Sequence, residues 1–144
     1  MILLDVNILL YAFNTNCPEY STVADWLEKV IQSEETVGIP WLSAIGFLRV
    51  STTTALYKPA FTPAEAFEAL DTLTQNQNVN ILDTLDISLK TFKMISMQAN
   101  TTGKLFPDAY LACLAMQTGS VLASADLDFA RFQTIGLKWF NPLA

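Results

Sequence analysis

The amino-acid sequence predicts an α/β protein with a mostly parallel sheet and helices on both faces. Short apolar segments alternate along the chain with longer segments whose apolar residues recur at helical spacing. The 144 residues are enough to bury a core, and the low content of glycine and proline argues against disorder. Strands separated by helices of this length require right-handed crossovers between parallel strands. We therefore expect a single domain over residues 1–144.

The first ten residues carry the strand around which we expect the sheet to be built. Residues 1–4 are an apolar run that ends at Asp5, which is typical of a strand buried on both faces. Ligands of open α/β sheets collect beyond the carboxyl ends of the strands, so Asp5 and Asn7 would lie where chemistry is usually done. The alternative is structural, because either side chain could simply cap a helix that begins near Ile8 and ends at Phe13.

The other predicted strands are short apolar runs, and the other predicted helices are longer amphipathic segments. The strands are expected at 37–40, 79–82, 120–123 and 137–140. The helices are expected at 19–33, 41–53, 62–75, 86–100 and 106–118. The helix at 41–53 is apolar nearly all round, with Arg49 as its only charge, so it should be buried or docked on a partner.

Several helix boundaries rest on residues with strong positional preferences. Thr62-Pro-Ala-Glu65 is a capping box with proline at the first helical position. We expect Asp86 to cap the next helix and Gly103 to end it. Pro107 suits the first turn of the following helix, which places Asp108 at a helix N-terminus.

The amino-acid composition excludes some kinds of active site and indicates the cellular compartment. The chain has no histidine, and Cys17 and Cys113 lie far apart, so a zinc site or a histidine-based triad is excluded. Reduced thiols of this kind are typical of the cytoplasm. Residues 1–13 lack the features of a signal peptide and no apolar run reaches the roughly 18 residues that cross a bilayer, so we expect a cytoplasmic protein that does not enter membranes.

Acidic side chains at three positions should meet at one rim of the predicted sheet. These positions are Asp5, Asp108 and the pair Asp126 and Asp128. Each also has a structural explanation, since acids favour helix N-termini and turns. Gathered together, however, carboxylates repel one another unless a cation holds them. Oxygen ligands without histidine or cysteine select a hard ion, Mg²⁺ or Mn²⁺, which can activate water and stabilise charge on a phosphate.

Four segments then form a series that points to a known family. They are Leu4-Asp-Val-Asn-Ile-Leu, Phe106-Pro-Asp-Ala-Tyr-Leu-Ala, Ala123-Ser-Ala-Asp-Leu-Asp-Phe-Ala-Arg-Phe and Asn141-Pro-Leu. In this order, over essentially the whole chain, they resemble the PIN domain of VapC-type toxins from bacterial toxin–antitoxin pairs. The resemblance implies a three-layer α/β/α sandwich, Mg²⁺- or Mn²⁺-dependent endoribonuclease activity on RNA, and a cognate antitoxin that fills the active-site groove.

The resemblance also implies roles for individual residues. The catalytic, metal-binding carboxylates correspond to Asp5, Asp108 and Asp126. The supporting positions correspond to Asn7, Ser124 and Asp128. The family usually carries a glutamate on the third helix, where this chain has Gly46, so we expect a site one ligand short with low metal affinity and a preference for Mn²⁺.

The apolar composition further suggests burial beyond one domain's core. Because 51% of the residues are hydrophobic and the third helix carries Trp41, Phe47 and Leu48, we expect a homodimer. Dimerisation could also gather scattered cations around one cleft, which matters because a net charge of −6 disfavours a broad electrostatic contact with nucleic acid. The cations we considered for this are Lys104, Arg131 and Lys138.

Two alternative functions are compatible with these residues. Gly46 and the negative net charge are also expected of a catalytically weak PIN-like domain that acts as an RNA- or protein-binding module. An aspartate after the first strand can also serve as the nucleophile of a phosphatase or phosphotransfer domain. Against this second alternative, the position two residues after Asp5 is Asn7 rather than another acid.

Overall fold

Five parallel strands form the centre of the fold in a computed structural model, which describes residues 1–83 and 85–144. The strands are β1 (Ile2–Leu4), β2 (Val37–Pro40), β3 (Val79–Leu82), β4 (Val121–Ala123) and β5 (Lys138–Phe140). The helices are α1 (Val6–Phe13), α2 (Tyr20–Gln32), α3 (Trp41–Ser51), α4 (Pro63–Thr74), α5 (Leu89–Gln98), α6 (Phe106–Thr118) and α7 (Ala130–Gln133). None of the helices in the described part of the chain has the length and apolarity to span a bilayer.

Strand β1 lies in the middle of the sheet, whose order is β3-β2-β1-β4-β5, with every described pair of neighbours parallel. Successive side chains of a strand point to opposite faces, so Leu3 and Leu4 enter two separate cores. Both are fully buried. Helices α1 to α4 contribute to the core around Leu4, and α5 to α7 to the core around Leu3. The predicted three-layer α/β/α arrangement and the doubly buried first strand are confirmed.

Gly38 allows β2 to lie closely against the centre of the sheet. It is the register partner of Leu3 across the β1–β2 ladder. A Cβ atom at position 38 would lie only 2.8 Å from Cδ2 of Leu3, closer than side-chain carbons approach in folded proteins. The glycine therefore lets Leu3 fill the space above the neighbouring strand.

The chain leaves β1 and β4 towards opposite faces of the sheet. Strand β1 continues into α1 on one face, whereas β4 continues through a 3₁₀ turn (Leu127–Phe129) into α7 on the other. Two adjacent parallel strands whose connections diverge in this way leave a crevice beyond their carboxyl ends, which is the usual ligand site of open α/β sheets. Asp5 and Ser124 are the first residues beyond these two strands.

The predicted elements are all present, with boundaries that agree to within two residues except around α5, where two assignments were wrong. Ser88, not Asp86, is the N-cap, and its Oγ accepts a hydrogen bond of 3.1 Å from the backbone N–H of Thr91. Helix α5 does not continue to Gly103, because Asn100 adopts a left-handed conformation with φ of 52°. Asparagine tolerates this conformation better than most residues do, and that ended the helix early.

Helix α3 has a buried and an exposed side, and of the three apolar residues that we expected at a partner surface, Trp41, Phe47 and Leu48, only Trp41 is exposed. Phe47 is fully buried, and its ring centroid lies 5.8 Å from that of Phe13. Leu48 packs against the same core. Neither residue is free for a partner. The exposed apolar residues of α3 are Trp41, Leu42 and Ile45.

Candidate metal centre

Asp5 both caps helix α1 and lies at the crevice. Its backbone N–H donates to the carbonyl of Ala123 at 3.0 Å, which extends the β1–β4 ladder by one residue. Its side-chain Oδ1 accepts a 2.7 Å hydrogen bond from the N–H of Val6, the first residue of α1. With the side chain only 5% exposed, the carboxylate is almost wholly removed from water. The capping explanation and the site explanation therefore apply to the same residue.

The second oxygen of Asp5 joins a polar network that ties β1 to β4. Oδ2 accepts hydrogen bonds from Ser124 Oγ at 2.7 Å and from Asn7 Nδ2 at 2.9 Å. Asn7 Oδ1 in turn accepts the backbone N–H of Ala125 at 3.0 Å. Because these bonds cross between two strand ends far apart in sequence, they fix the orientation of Asp5 from both sides.

Ser124 extends the network into the segment that carries the other two acids. Its Oγ accepts the backbone N–H of Asp126 at 3.0 Å, and Asp126 Oδ1 accepts the N–H of Asp128 at 2.9 Å. The carbonyl of Ser124 accepts a 2.9 Å bond from the indole of Trp139 on β5. The chain beyond β4 is thus held by side-chain bonds rather than by a strand or a long helix.

Asp108 reaches the same place from helix α6. It lies in the first turn, directly after Pro107, as the sequence predicted. Because α6 leads back into β4, its N-terminus is at the carboxyl edge of the sheet. Asp108 and Asp5 line one cleft of about 270 Å³, whose opposite wall is α3.

The carboxylates of Asp108, Asp126 and Asp128 come together beside this cleft, which Asp108 also lines. Each offers an oxygen atom within 4.8 Å of the others. Oxygens bound to one Mg²⁺ at about 2.1 Å lie roughly 3 to 4 Å apart, so small side-chain adjustments would let the three share an ion. Asp5 is not among these three, but it lines the cleft together with Asp108. Asp128, which we expected only in a supporting role, therefore lies as close to Asp108 and Asp126 as a metal ligand would.

The pKa of Asp108 is raised by burial of the side chain and by the charges of the neighbouring acids. It rises from its ordinary value of 3.8 to about 7, first because the side chain is partly buried and then because Asp5, Asp126 and Asp128 are near, with Arg131 acting in the opposite direction. A helix N-terminus stabilises a carboxylate by about 0.3–1 kcal/mol, less than one pKa unit. The N-terminus of α6 therefore lowers the pKa of Asp108 by less than burial and the neighbouring acids raise it. Burial also raises the pKa of Asp5.

A family model described as "PIN domain" matches residues 2–134. The chain belongs to the PIN-domain family. This membership disfavours the phosphatase or phosphotransfer alternative. The chain is 29% identical over 143 residues to "VapC ribonuclease Mb2897" of Mycobacterium bovis, covering 99% of this chain and 96% of that protein. It is 30% identical over 148 residues to "Ribonuclease VapC37" of Mycobacterium tuberculosis, covering 100% and 99%.

Solved structures share the PIN fold over the whole chain. VapBC2 from Rickettsia felis, bound to a DNA fragment from its promoter, superposes with a TM-score of 0.71 at 18% identity and 98% coverage of both chains. VapBC-1 from nontypeable Haemophilus influenzae superposes with a TM-score of 0.67 at 19% identity and full coverage of both chains. At these identities the similarity establishes the fold of the PIN domain and no more.

The wall of the cleft that α3 forms contains two polar residues, Ser43 and Arg49, that were not predicted as part of the site. Gly46 lines the cleft, as expected of the position that usually carries a glutamate. Ser43 and Arg49 line it as well, one turn before and one turn after Gly46. From the sequence, Arg49 is distinguished only as the single charge of an apolar helix. Its three-residue spacing from Gly46 was the available signal, because residues three apart share one helix face.

We predict that without metal the wild-type protein loses stability as the pH rises. Asp108 binds its proton more tightly in the folded protein, with a pKa near 7, than in the unfolded chain, where the pKa is near 3.8. Its stabilising contribution is therefore complete at low pH and is lost between about pH 4 and pH 7. Asp108→Asn should melt at a higher temperature than wild type above pH 7 in a chelating buffer, and the difference should shrink towards pH 4.

The matched control is Asp71→Asn, which removes an exposed acid from α4. It should leave the pH dependence of melting unchanged. Parallel curves for wild type and Asp108→Asn over the whole pH range would contradict the raised pKa.

Proposed function

We propose that this protein is a metal-dependent endoribonuclease that hydrolyses phosphodiester bonds of RNA in the cytoplasm, as the toxin of a type II toxin–antitoxin pair. The observation that carries the proposal is the meeting of Asp108, Asp126 and Asp128 beside the cleft that Asp5 and Asp108 line. Membership of the PIN family and the ribonuclease names of its relatives support the same activity.

The donor set suits a hard divalent cation. Every candidate ligand is a carboxylate oxygen, and within the described residues no lysine or arginine forms an ion pair with Asp108, Asp126 or Asp128. We expect Asp5, Asp108 and Asp126 to hold the ion, and Asp128, whose carboxylate meets those of Asp108 and Asp126, to contribute as well. Such an ion supplies charge stabilisation and an activated water for phosphodiester hydrolysis. We propose Mg²⁺ or Mn²⁺, with Mn²⁺ favoured because Gly46 offers no further oxygen.

Asn7 and Ser124 support the reaction by holding Asp5. The Ser124 hydroxyl uses its one donor on Asp5 and accepts two hydrogen bonds, from Asn7 and Asp126, so its bonding capacity is filled. A carboxylate fixed in this way cannot rotate away when a substrate phosphate enters. Leu111 and Pro107 give the cleft apolar lining that limits bulk water.

We further propose a cognate antitoxin that fills the cleft, by analogy with the VapBC complexes that share the fold. A partner segment that covers the acids would block RNA and provide cations of its own for the carboxylates. We also propose a homodimer. Its support is now the exposed part of α3, where the side chain of Trp41 is 52% and that of Ile45 58% exposed, since Phe47 is in the core.

We predict that Asp108→Asn and Asp126→Asn each lower metal-dependent RNA cleavage by at least about 100-fold, which corresponds to about 3 kcal/mol of lost charge stabilisation. Both variants should fold. The Asp108 side chain makes no hydrogen bond within the described residues, and an asparagine at position 126 keeps the oxygen that accepts the N–H of Asp128. Asp5→Asn is a less clean test because both carboxylate oxygens accept hydrogen bonds.

Cleavage of a labelled RNA, measured with Mn²⁺, with Mg²⁺ and with a chelator, decides this prediction. Asp25→Asn, an exposed acid on α2, is the matched control and should cleave like wild type. Full cleavage by either site variant would contradict the assignment. RNA binding by wild type without any cleavage in Mn²⁺ would favour the alternative of a catalytically weak binding module.

The dimer has its own test in light scattering of the purified protein at micromolar concentration. We predict a dimer for wild type and a monomer for Ile45→Lys, because a lysine on the exposed side of α3 would bury a charge. Phe67→Lys places the same charge on the exposed side of α4, at a residue of similar exposure (55%), and should leave the dimer intact. A monomeric wild type would contradict the dimer.

A further inference from the structure

The cleft wall formed by α3 ends in a positive charge. Ser43, Gly46 and Arg49 follow one another at three-residue intervals, and all three line the cleft that contains Asp5 and Asp108. The chain has eight lysine and arginine residues. Among those in the described part of the structure, Arg49 alone lines this cleft.

The guanidinium of Arg49 has no protein partner in the described residues. It is exposed, and the one ion pair found within 4.0 Å there joins the N-terminal amine of Met1 to Glu35. Arg131 differs, because its guanidinium approaches the carbonyls of Ala99 and Asn100 at 3.4 and 3.5 Å and partly offsets the charge around Asp108. Arg49 therefore remains available to a ligand.

A polyanionic substrate needs such a group at this site. RNA phosphates entering the cleft would meet Asp5 and Asp108, and the net charge of −6 offers no general attraction. A planar guanidinium can donate two parallel hydrogen bonds to one phosphate. We propose that Arg49 binds a backbone phosphate of the RNA and positions the strand across the acidic cluster, an inference that rests on the proposed ribonuclease function.

Gly46 keeps Arg49 free for this role. A glutamate at position 46 would lie three residues before Arg49 on the same helix face, the spacing at which opposite charges pair. Glycine leaves the guanidinium without such a neighbour. A Cβ atom at position 46 would also lie 3.1 Å from Cγ2 of Val6, so any side chain there crowds the start of α1. Glycine at position 46 therefore removes the metal ligand that the family usually has there, and it leaves Arg49 unpaired and able to bind a phosphate.

The test compares Arg49→Ala and Arg49→Lys with wild type in Mn²⁺-dependent cleavage of a short RNA. We expect Arg49→Ala to lower kcat/KM by about 10- to 100-fold, the loss of one charge-assisted contact of about 1.4–2.7 kcal/mol, mainly through KM. Arg49→Lys should recover part of it. The salt dependence of log KM should weaken by roughly 0.7 in slope. Mn²⁺ affinity by calorimetry and the melting temperature should not change.

Lys29→Ala, which removes an exposed cation on α2, is the control and should keep the wild-type KM. RNA affinity measured by anisotropy in the Asp108→Asn background separates this inference from the proposed function. If wild type does not cleave RNA but Arg49→Ala still weakens binding, the inference stands while the proposed function fails. Unchanged KM, salt slope and RNA affinity in Arg49→Ala would overturn it.

The role of Gly46 is tested by a double-mutant cycle in metal-free buffer. Gly46→Glu should bind RNA more weakly than the isosteric Gly46→Gln, because only the glutamate can pair with Arg49. If the effect acts through Arg49, most of the difference should disappear in the Arg49→Ala background. An equal difference in both backgrounds would show that position 46 does not control Arg49.

Discussion

The hydrogen bond from Ser124 to Asp5 is the interaction on which the site depends. It joins the ends of β1 and β4, which are 119 residues apart in sequence and adjacent in the sheet. Through it, a residue that caps α1 is linked to the segment that carries Asp126 and Asp128. The bond is short, buried and flanked by further hydrogen bonds from Asn7, so it is stronger than an isolated surface contact. The parallel order of the sheet is what makes this meeting possible.

The same arrangement brings acidic side chains so close together that their charges repel one another. Four aspartates lie close together, and partial burial, followed by the charges of the neighbouring acids, raises the pKa of Asp108 to about 7. In a cluster that served only stability, lysine or arginine side chains would pair with these carboxylates. Within the described residues, none of the four aspartates forms such an ion pair. The folded protein therefore keeps an unfavourable charge distribution that a divalent cation would convert into a binding site.

Much of this could be predicted because local signals agreed with the fold. The run before Asp5, the capping box at Thr62 and the proline before Asp108 each act within a few residues, and all appear where expected. Two features could not be predicted, one because neighbouring residues compete for the same helix cap and one because it depends on packing between distant parts of the chain. Asp86 and Ser88 are both good caps, and nothing local decides between them. The exposure of Arg49 depends on which side of α3 faces the core, which only packing determines.

We propose that Asp108, Asp126 and Asp128, with Asp5 beside them, form one divalent-metal site whose orientation depends on the hydrogen bonds of Asp5. An anomalous difference map from crystals grown with Mn²⁺ would locate the ion. We expect one strong peak between the carboxylate oxygens of Asp108, Asp126 and Asp128, next to Asp5. A saturated crystal with no peak there, or with Mn²⁺ bound only elsewhere, would show that these residues are not a metal site.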